Sequence, residues 1–489
     1  MDAQLNAGGA KETNGKAEPP LCVDLDGTLL KSDMLHEALR ALLMRRPWLI
    51  FNCLLWLFKG GKAYFKRQVA ARVKIDPVLL PYHGGLLRFL KEEYARGRRL
   101  VLASASDIQL VEPVAEYLGI FEEVYGSDGL TNLSGERKLE FLETRYGKRG
   151  FDYAGNHPLD LLIWAKARRA IVVSHSRRLI DRVQKIADEV MVCRPTAQKP
   201  LAVLLSAVRV HQWIKNVLLF VPLVMAHRVL EVELLWKVAA GFLSFSLCAA
   251  GIYLINDLAD LEADRLHQSK KYRPLASGDL SQLTAVFMIP LLLVLSLLIA
   301  LYLARPFAGT LGVYLAATLL YSLYFKKHII ADIVLLALLY ALRILAGGYA
   351  VGVVVSQWLL AFSLFFFLSL ACVKRFSELR VLRLNNQTGS EGRGYLSSDL
   401  EGISQFGTAS GYISILVLAL YISSREVSVL YRHPETIWLL CPVLLYWISR
   451  IWLLANRGLI LDDPILFAIK DKLSYLMGLI SVFILFLAL

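Results

Sequence analysis

The sequence predicts a two-part protein: an N-terminal α/β domain with a parallel sheet, then an all-α polytopic bundle that crosses a membrane about nine times. Three observations predict this. The chain has 489 residues, 56% of them hydrophobic, which is too apolar for an ordinary soluble protein and enough for several membrane spans. Composition shifts near residue 200, from short apolar strands alternating with charged helices to apolar runs of bilayer length. The formal net charge of +13 then has a source in cytoplasmic loops rich in Lys and Arg, with no nucleic acid needed as partner.

Residues 1–20 are polar, rich in Gly and Ala, and lack the apolar core of a signal peptide. They are expected to be a disordered cytosolic tail. The six cysteines are scattered, with no CxxC pair and no metal-ligand spacing. They read as buried or lipid-facing side chains in a reducing compartment.

Residues 21–193 are expected to form the α/β domain, with "LCVDL", "RLVLAS", "FDYAGN" and "AIVVS" as strands. "VDLDGTLL", 23–30, ends its strand in DxDGT. Here the sequence resembles the haloacid-dehalogenase-like (HAD) phosphatases, a Rossmannoid parallel sheet with a helical cap. The resemblance implies Asp24 as the nucleophile on phosphorus and Asp26, two residues on and on the same side, as general acid and then base. Gly27 permits the tight turn. Ser104, ending "LVLAS", resembles the family's phosphate-binding hydroxyl, and Lys138 in "GERKLEFL" the lysine that neutralises the phosphoryl group and Asp24. "YAGNHPLD", 153–160, resembles the acidic metal motif, with Asp160 present and Asn156 where the family usually has Asp. Asp24, Asp26, Asn156 and Asp160 are thereby expected to hold Mg2+, the amide with less charge than a carboxylate.

Residues 32–95 read as the helical cap. Within them "PWLIFNCLLWLF", 47–58, is too short to span a bilayer. Two readings stay open: a helix buried in its own domain, or an interfacial helix flanked by Arg45, Arg46 and Lys59.

The stretch "CRPTAQKP", 193–200, marks a linker, taken as 194–206, and 207–489 reads as the membrane part. Nine spans are expected, at about 216–230, 235–255, 283–304, 307–325, 331–352, 357–373, 404–423, 437–455 and 473–489. One set of loops carries fourteen cations, among them Arg265, Lys270, Lys326, Lys374 and Lys470; the opposite set carries four, Arg228, Arg305, Arg425 and Arg432. The fourteen belong in the cytoplasm. That places the α/β domain on the cytoplasmic side and the C-terminus outside.

"LINDLADLEADRLHQSKKYRPLASG", 254–278, follows an apolar run and carries Asp257, Asp260 and Asp264, then Lys270, Lys271 and Arg273. The i, i+3, i+7 spacing puts three carboxylates on one helix face. Unaided they repel. A hard divalent cation such as Mg2+ takes oxygen ligands and bridges carboxylates to phosphates, and the cations suit the remaining phosphate oxygens. The alternative is a solvated charged loop capping a transmembrane helix.

"NDLADLEAD" resembles the NDxxDxxxD signature of the UbiA superfamily of intramembrane prenyltransferases, nine-helix bundles that bind Mg2+ and a diphosphate. "RVHQWIKN", 209–216, "DRLHQSKKYRPLASG" and "YSLYFKKHIIADIVLLALLYALRILAGG", 321–348, resemble blocks of the branch that makes polyprenyl-phosphate phosphoribose, with Val210 and Gln268 each where that branch has Pro. Lys215, Asn256, Arg265, Lys270, Arg273, Tyr321, Lys326 and Arg343 are the substrate-binding residues this resemblance implies. Arg343 lies well inside a span and needs an anionic partner: Asp332, another carboxylate or the substrate. In "CVKRFSELRVLRLNN", 372–386, Lys374, Arg375 and Glu378 stand where aromatic-acceptor relatives usually have a second Asp-rich motif. Fixed cations there suit a phosphorylated sugar and a polyprenyl monophosphate. "RGLILDDPILFAIKD", 457–471, resembles the branch's last cytoplasmic loop.

The implied reaction is transfer of 5-phosphoribosyl from phosphoribosyl diphosphate to a polyprenyl phosphate, with Mg2+ on Asp257, Asp260 and Asp264. The HAD domain would remove the 5′-phosphate. The implied location is the inner (cytoplasmic) membrane, with both active sites facing the cytoplasm. A second reading is prenyl transfer from a prenyl diphosphate to an aromatic or other acceptor, with a non-catalytic HAD domain; a third is a membrane scaffold with both domains degenerate.

Overall fold

A computed structural model describes residues 18–195, 199–389, 393–424, 431–460 and 463–488. The expected disordered tail, apart from residues 18–20, and Arg425 lie outside the described residues. The chain divides into two compact units, Met1–Val208 with Leu254–Met288, and Arg209–Tyr253 with Ile289–Leu489.

In the first unit, short runs of Val, Leu, Ile and Ala form six parallel strands: β1 (Leu21–Val23), β2 (Leu100–Asp107), β3 (Glu123–Ser127), β4 (Asp152–Gly155), β5 (Arg169–Val173) and β6 (Glu189–Cys193). Their order is β3-β2-β1-β4-β5-β6. Val23 pairs with Leu102 on one side and Ala154 on the other. A parallel sheet is covered on both faces, and alternate residues serve opposite cores. Leu21, Val23, Leu102 and Ala154 pack in one cluster; Cys22, Val101 and Tyr153 pack in the other. The chain reverses its winding between β1 and β4, and ligands bind beyond the strand ends at such a switch point. DxDGT begins there.

Helices α1 (Met34–Arg45), α2 (Ile50–Ala70) and α3 (Gly84–Ala95) lie in sequence between β1 and β2. The Asp33 side chain caps α1 by accepting from the amides of Leu35 and His36. Gly61 breaks α2 with φ +66°, a backbone state that favours glycine. The unit continues with α4 (Ile108–Leu118), α5 (Glu136–Tyr146), α6 (Leu161–Trp164), α7 (Arg177–Gln184) and α8 (Pro200–Ala207); α8 forms at the end of the expected linker.

The membrane part holds α9 (Val221–Met225), α10 (Val232–Ala259), the short α11 (Leu261–Leu266), α12 (Gln282–Leu303), α13 (Arg305–Leu323), α14 (Ala331–Val351), α15 (Gln357–Leu384), α16 (Leu400–Ile422), α17 (Leu440–Arg457), α18 (Pro464–Lys470) and α19 (Lys472–Ala488). The unit boundaries fall inside α10 and α12. Among the described residues seven helices are long and apolar enough to cross a membrane. An eighth span comes from α18 and α19 if that pair, bent by 85°, is counted as one. The expected first span, 216–230, is instead the short apolar stretch Val210–Met225, most of it 3-10 helix. It packs closely on α14 in the second unit, where a Cβ at Gly347 would strike the Leu219 carbonyl oxygen.

Candidate active sites

Asp24 follows the last residue of β1, and its amide continues the sheet by donating to the Ala154 carbonyl at 2.9 Å. The Lys138 ammonium, from α5, donates to Asp24 Oδ1 at 2.7 Å. Lys138 is buried; although desolvation works against its charge, Asp24 and Asp160 hold its pKa above the ordinary lysine value. Lys138 also reaches the Tyr153 hydroxyl at 3.3 Å, which donates to Asp160 Oδ1 at 3.0 Å. Asp160 Oδ2 accepts from the amides of Asn156 and His157 at 3.1 and 2.9 Å. Burial, then Asp24, push the Asp160 carboxyl upward. The acidic residue thus shapes the loop that carries Asn156.

Thr28, unremarked in the sequence beyond its place in DxDGT, links Asp24 to Asn156. Its hydroxyl lies 3.3 Å from Asp24 Oδ2 and 3.1 Å from Asn156 Oδ1. Gly27, at φ +72°, has Asn156 where its Cβ would stand, so the turn requires glycine both for its dihedral and for space.

Asp26 turns toward β2 and α1. Its Oδ1 accepts from the Met34 amide at 2.7 Å, and its Oδ2 from Ser104 and Ser106 at 3.2 and 2.7 Å. Desolvation, with Asp33 and Asp24 nearby, pushes the Asp26 carboxyl up to about 7. Ser104 is wholly buried behind it, while Ser106, two residues on, lines the cavity. Lys66, from the second half of α2, also lines it and donates to the Ala105 carbonyl at 2.6 Å. Spacing around DxDGT gave no signal for either.

The cavity, about 420 Å³, is walled on one side by Arg265, Leu275, Gly278, Leu280, Ser281 and Gln282. Sequence alone did not place this stretch beside Asp24. Three ion pairs hold it: Arg265 to Glu37 at 2.6 Å, Arg40 to Glu262 at 2.7 Å and Lys31 to Asp279 at 2.9 Å. The Arg265 fork donates to both Glu37 oxygens, with both side chains buried. Burial works against the Glu37 charge, but Arg265 wins and holds its carboxyl below the ordinary glutamate value. Arg265, implied by resemblance as a substrate ligand, is thus engaged by α1.

The three acidic residues of the NDxxDxxxD stretch do not share one unbroken helix. Asp257 lies in α10, Asp260 at the break and Asp264 in α11. The backbone bonds continue across it, Asp260 to Asn256 and Asp264 to Asp260, each at 2.8 Å. One nitrogen of Arg273 reaches Asp264 Oδ2 at 2.6 Å and Asp257 Oδ1 at 3.2 Å. Lys270 stands in the 3-10 turn just before Arg273.

In the second unit, Lys215 pairs with Asp463 at 2.6 Å, and Lys374 lies 3.8 Å from the same oxygen. Asp332 accepts from Tyr321 at 2.8 Å and pairs with Arg375 at 2.7 Å; Arg375 also binds Glu378, which Arg393 approaches at 3.4 Å. Lys326 lies in the turn just before α14. Of the partners expected for Arg343, no carboxylate is among its described hydrogen bonds. Its described hydrogen bonds go to the Asn216 amide oxygen at 2.9 Å, the Leu339 carbonyl at 2.6 Å and the Tyr314 hydroxyl at 2.9 Å. The faces of Tyr314 and Tyr340 lie against it. Neutral oxygens and aromatic quadrupoles, rather than Asp332, stabilise this cation.

Among the described residues no cluster of three or more His, Cys, Asp or Glu side chains is arranged to hold a metal. The donor chemistry nevertheless fits Mg2+ in both acidic sites. At β1 the set is all oxygen, the Asp24 carboxylate and the Asn156 amide sharing Thr28. In the NDxxDxxxD stretch, a cation already stands between Asp257 and Asp264, where two close carboxylates call for positive charge.

The fold and these sites define a multi-pass integral membrane enzyme with a transferase part and a phosphatase-type part. Residues 217–458 match the UbiA prenyltransferase family and residues 21–163 the haloacid dehalogenase-like hydrolases. An uncharacterised protein, y4nM, of Sinorhizobium fredii is 36% identical over 460 residues, covering 94% of this chain and 89% of that protein. Decaprenyl-phosphate phosphoribosyltransferase of Mycolicibacterium smegmatis is 36% identical over 241 residues, covering 48% of this chain and 75% of that one. A solved UbiA homolog from Archaeoglobus fulgidus, bound to GPP and Mg2+, aligns with 58% of this chain and 96% of its own at 18% identity and a TM-score of 0.44. The chain belongs to the UbiA prenyltransferase family and carries an N-terminal HAD-like domain.

Proposed function

We propose that this enzyme transfers 5-phosphoribosyl from phosphoribosyl diphosphate to a polyprenyl phosphate, and that its HAD domain then removes the 5′-phosphate. The observation that carries the first half is a pair of adjacent cations in the C-terminal half of α15. Lys374 and Arg375 stand there where a second metal cluster for a prenyl diphosphate would need carboxylates. In the transfer, the bond from the ribose anomeric carbon to diphosphate breaks. A bond to an oxygen of the polyprenyl phosphate forms, and diphosphate leaves. The acceptor is already an anion at neutral pH, so no general base is required.

In the first unit, Asp257, Asp260 and Asp264 would hold Mg2+, while Asn256, Lys270 and Arg273 take phosphate oxygens. Mg2+ there would offset the charge of the departing diphosphate. In the second unit, Lys215, Lys326, Lys374 and Arg375 are the cations assigned to phosphate, with Tyr321, Arg343 and Glu378 positioning them. In the HAD domain, Asp24 attacks phosphorus and the ester bond to the sugar oxygen breaks. Asp26 protonates that oxygen, then activates the water that releases phosphate from Asp24. Lys138, paired with Asp24 at 2.7 Å, orients it for attack; Asn156 and Asp160 complete the metal end. Fourteen loop cations against four support the cytoplasmic membrane, with the HAD domain on its cytoplasmic side.

The test supplies membranes containing the protein with labelled phosphoribosyl diphosphate and polyprenyl phosphate. A parallel arm offers labelled prenyl diphosphate with 4-hydroxybenzoate. Labelled lipid is expected in the first arm, followed by phosphate release that Asp24→Asn blocks. Product in the second arm alone refutes the reading.

A further inference from the structure

Helix α2 has two halves of different character, separated by the break at Gly61. The second half carries Lys66 to the hydrolase cavity. In the first half, Cys53 and Trp56 turn inward and join the core of the first unit. The other side of that half is not covered. Phe51, Leu54, Leu55 and Phe58, spaced i, i+3, i+4 and i+7, share one face. With Trp48 in the preceding turn they are between 54% and 85% exposed. A contiguous apolar face of this kind marks a binding surface rather than ordinary solvent-facing helix.

The charge around the patch selects its occupant. Between Glu37 and Asp76 the chain has nine Lys or Arg residues and no Asp or Glu. Arg45 and Arg46 lie just before the apolar face, and Lys59 and Lys62 just after it, all exposed. A second copy of the chain would meet this patch with the same positive charge, and like charges oppose such pairing. An anionic lipid surface satisfies both features, with acyl chains for the apolar face and head groups for the cations. The same chain spans a membrane, so such a surface is always at hand.

We propose that residues 47–59 form a docking helix that lies in the head-group layer of the membrane the chain spans, with anionic phospholipid as its ligand. Both readings the sequence left open bear on this stretch. The stretch is part of the cap and also presents an outward face that its own unit leaves bare. The proposal does not depend on the identity of either substrate.

The full-length protein is placed in nanodiscs of phosphatidylcholine alone or with phosphatidylglycerol, each containing a photoactivatable acyl chain. Labelled peptides are then mapped by mass spectrometry, with α12 as internal standard. Labelling of 47–59 is expected, and about fivefold more with phosphatidylglycerol, because each basic residue near an anionic surface adds to binding. Phe51→Glu with Phe58→Glu is expected to bring it to background while α12 stays labelled. Arg45→Glu with Lys59→Glu should erase the lipid preference alone. Absence of label on 47–59 while α12 is labelled overturns the proposal. So does a wild-type dimer that this Phe51 and Phe58 pair of substitutions converts to monomer.

Discussion

Lys138 and Arg273 perform the same electrostatic task in different surroundings. Each sits beside carboxylates of an acidic site in the first unit, Lys138 on Asp24 and Arg273 on Asp257 and Asp264. The Lys138 side chain is 4% exposed, and Arg273 30%. A buried ion has no water to fall back on, so Lys138 is a permanent part of its site. A partly exposed arginine is hydrated, held weakly and replaceable. One site is built around a resident protein cation. The other holds its carboxylates together with a partly exposed arginine, which the proposed Mg2+ would displace.

Four changes test this contrast. The largest effect is expected for Asp24→Asn, which removes the carboxylate that pairs with Lys138 and serves as nucleophile in the proposed reaction. Phosphate release should fall on the order of 10³-fold or more, while lipid transfer, followed in the same membranes, persists. Next is Glu37→Gln, which strands Arg265 as an unpaired buried cation. It should destabilise the first unit by about 3 kcal/mol, seen as earlier unfolding in denaturant. The pair has a pH signature of known sign. Because the Glu37 carboxyl is held below the ordinary glutamate value of 4.5, its stabilisation is complete above that value and is lost as pH falls through the lower, folded-state value. Denaturation midpoints of wild type and Glu37→Gln should converge on acidification.

Smaller changes sharpen the distinction between fixed and replaceable cations. Arg273→Gln removes the competitor from Asp257 and Asp264. The Mg2+ concentration for half-maximal transfer should drop about tenfold, by simple competition, as the KM for the phosphorylated donor rises. If the metal requirement does not move, Arg273 is not a placeholder. Asn156→Asp adds a carboxylate to the hydrolase site. At limiting Mg2+, phosphate release should rise by about threefold, since ligand charge tunes affinity for a hard cation.

The DxDGT turn and the DxxxD spacing were legible because their chemistry lives within a few residues. So were the parallel sheet, from its apolar strands, and the long spans, from their length. What was not legible lay in contacts made across the fold. Arg265 and Glu37 are 228 positions apart, and no local pattern announces that pair. Arg343 invited the expectation of an anion, Asp332, another carboxylate or the substrate, because charge dominates reasoning from sequence; its described protein partners are an amide, a carbonyl, a tyrosine hydroxyl and two aromatic rings. The break at Asp260 escaped notice because i, i+3, i+7 spacing fits a bent helix as well as a straight one. The expected span at about 216–230 was apolar enough by hydropathy, but the helix stops at Met225 and leaves only the short stretch Val210–Met225.

The wall that Arg265–Gln282 gives to the hydrolase cavity has a consequence for anyone who would cut this protein in two. A fragment ending at Val208 would contain every element of the phosphatase-type fold and still lack one side of its cavity. Glu37, Arg40 and Lys31 would lose their partners and face water. An assay of that fragment would therefore report on an opened cavity rather than on the one the full chain encloses.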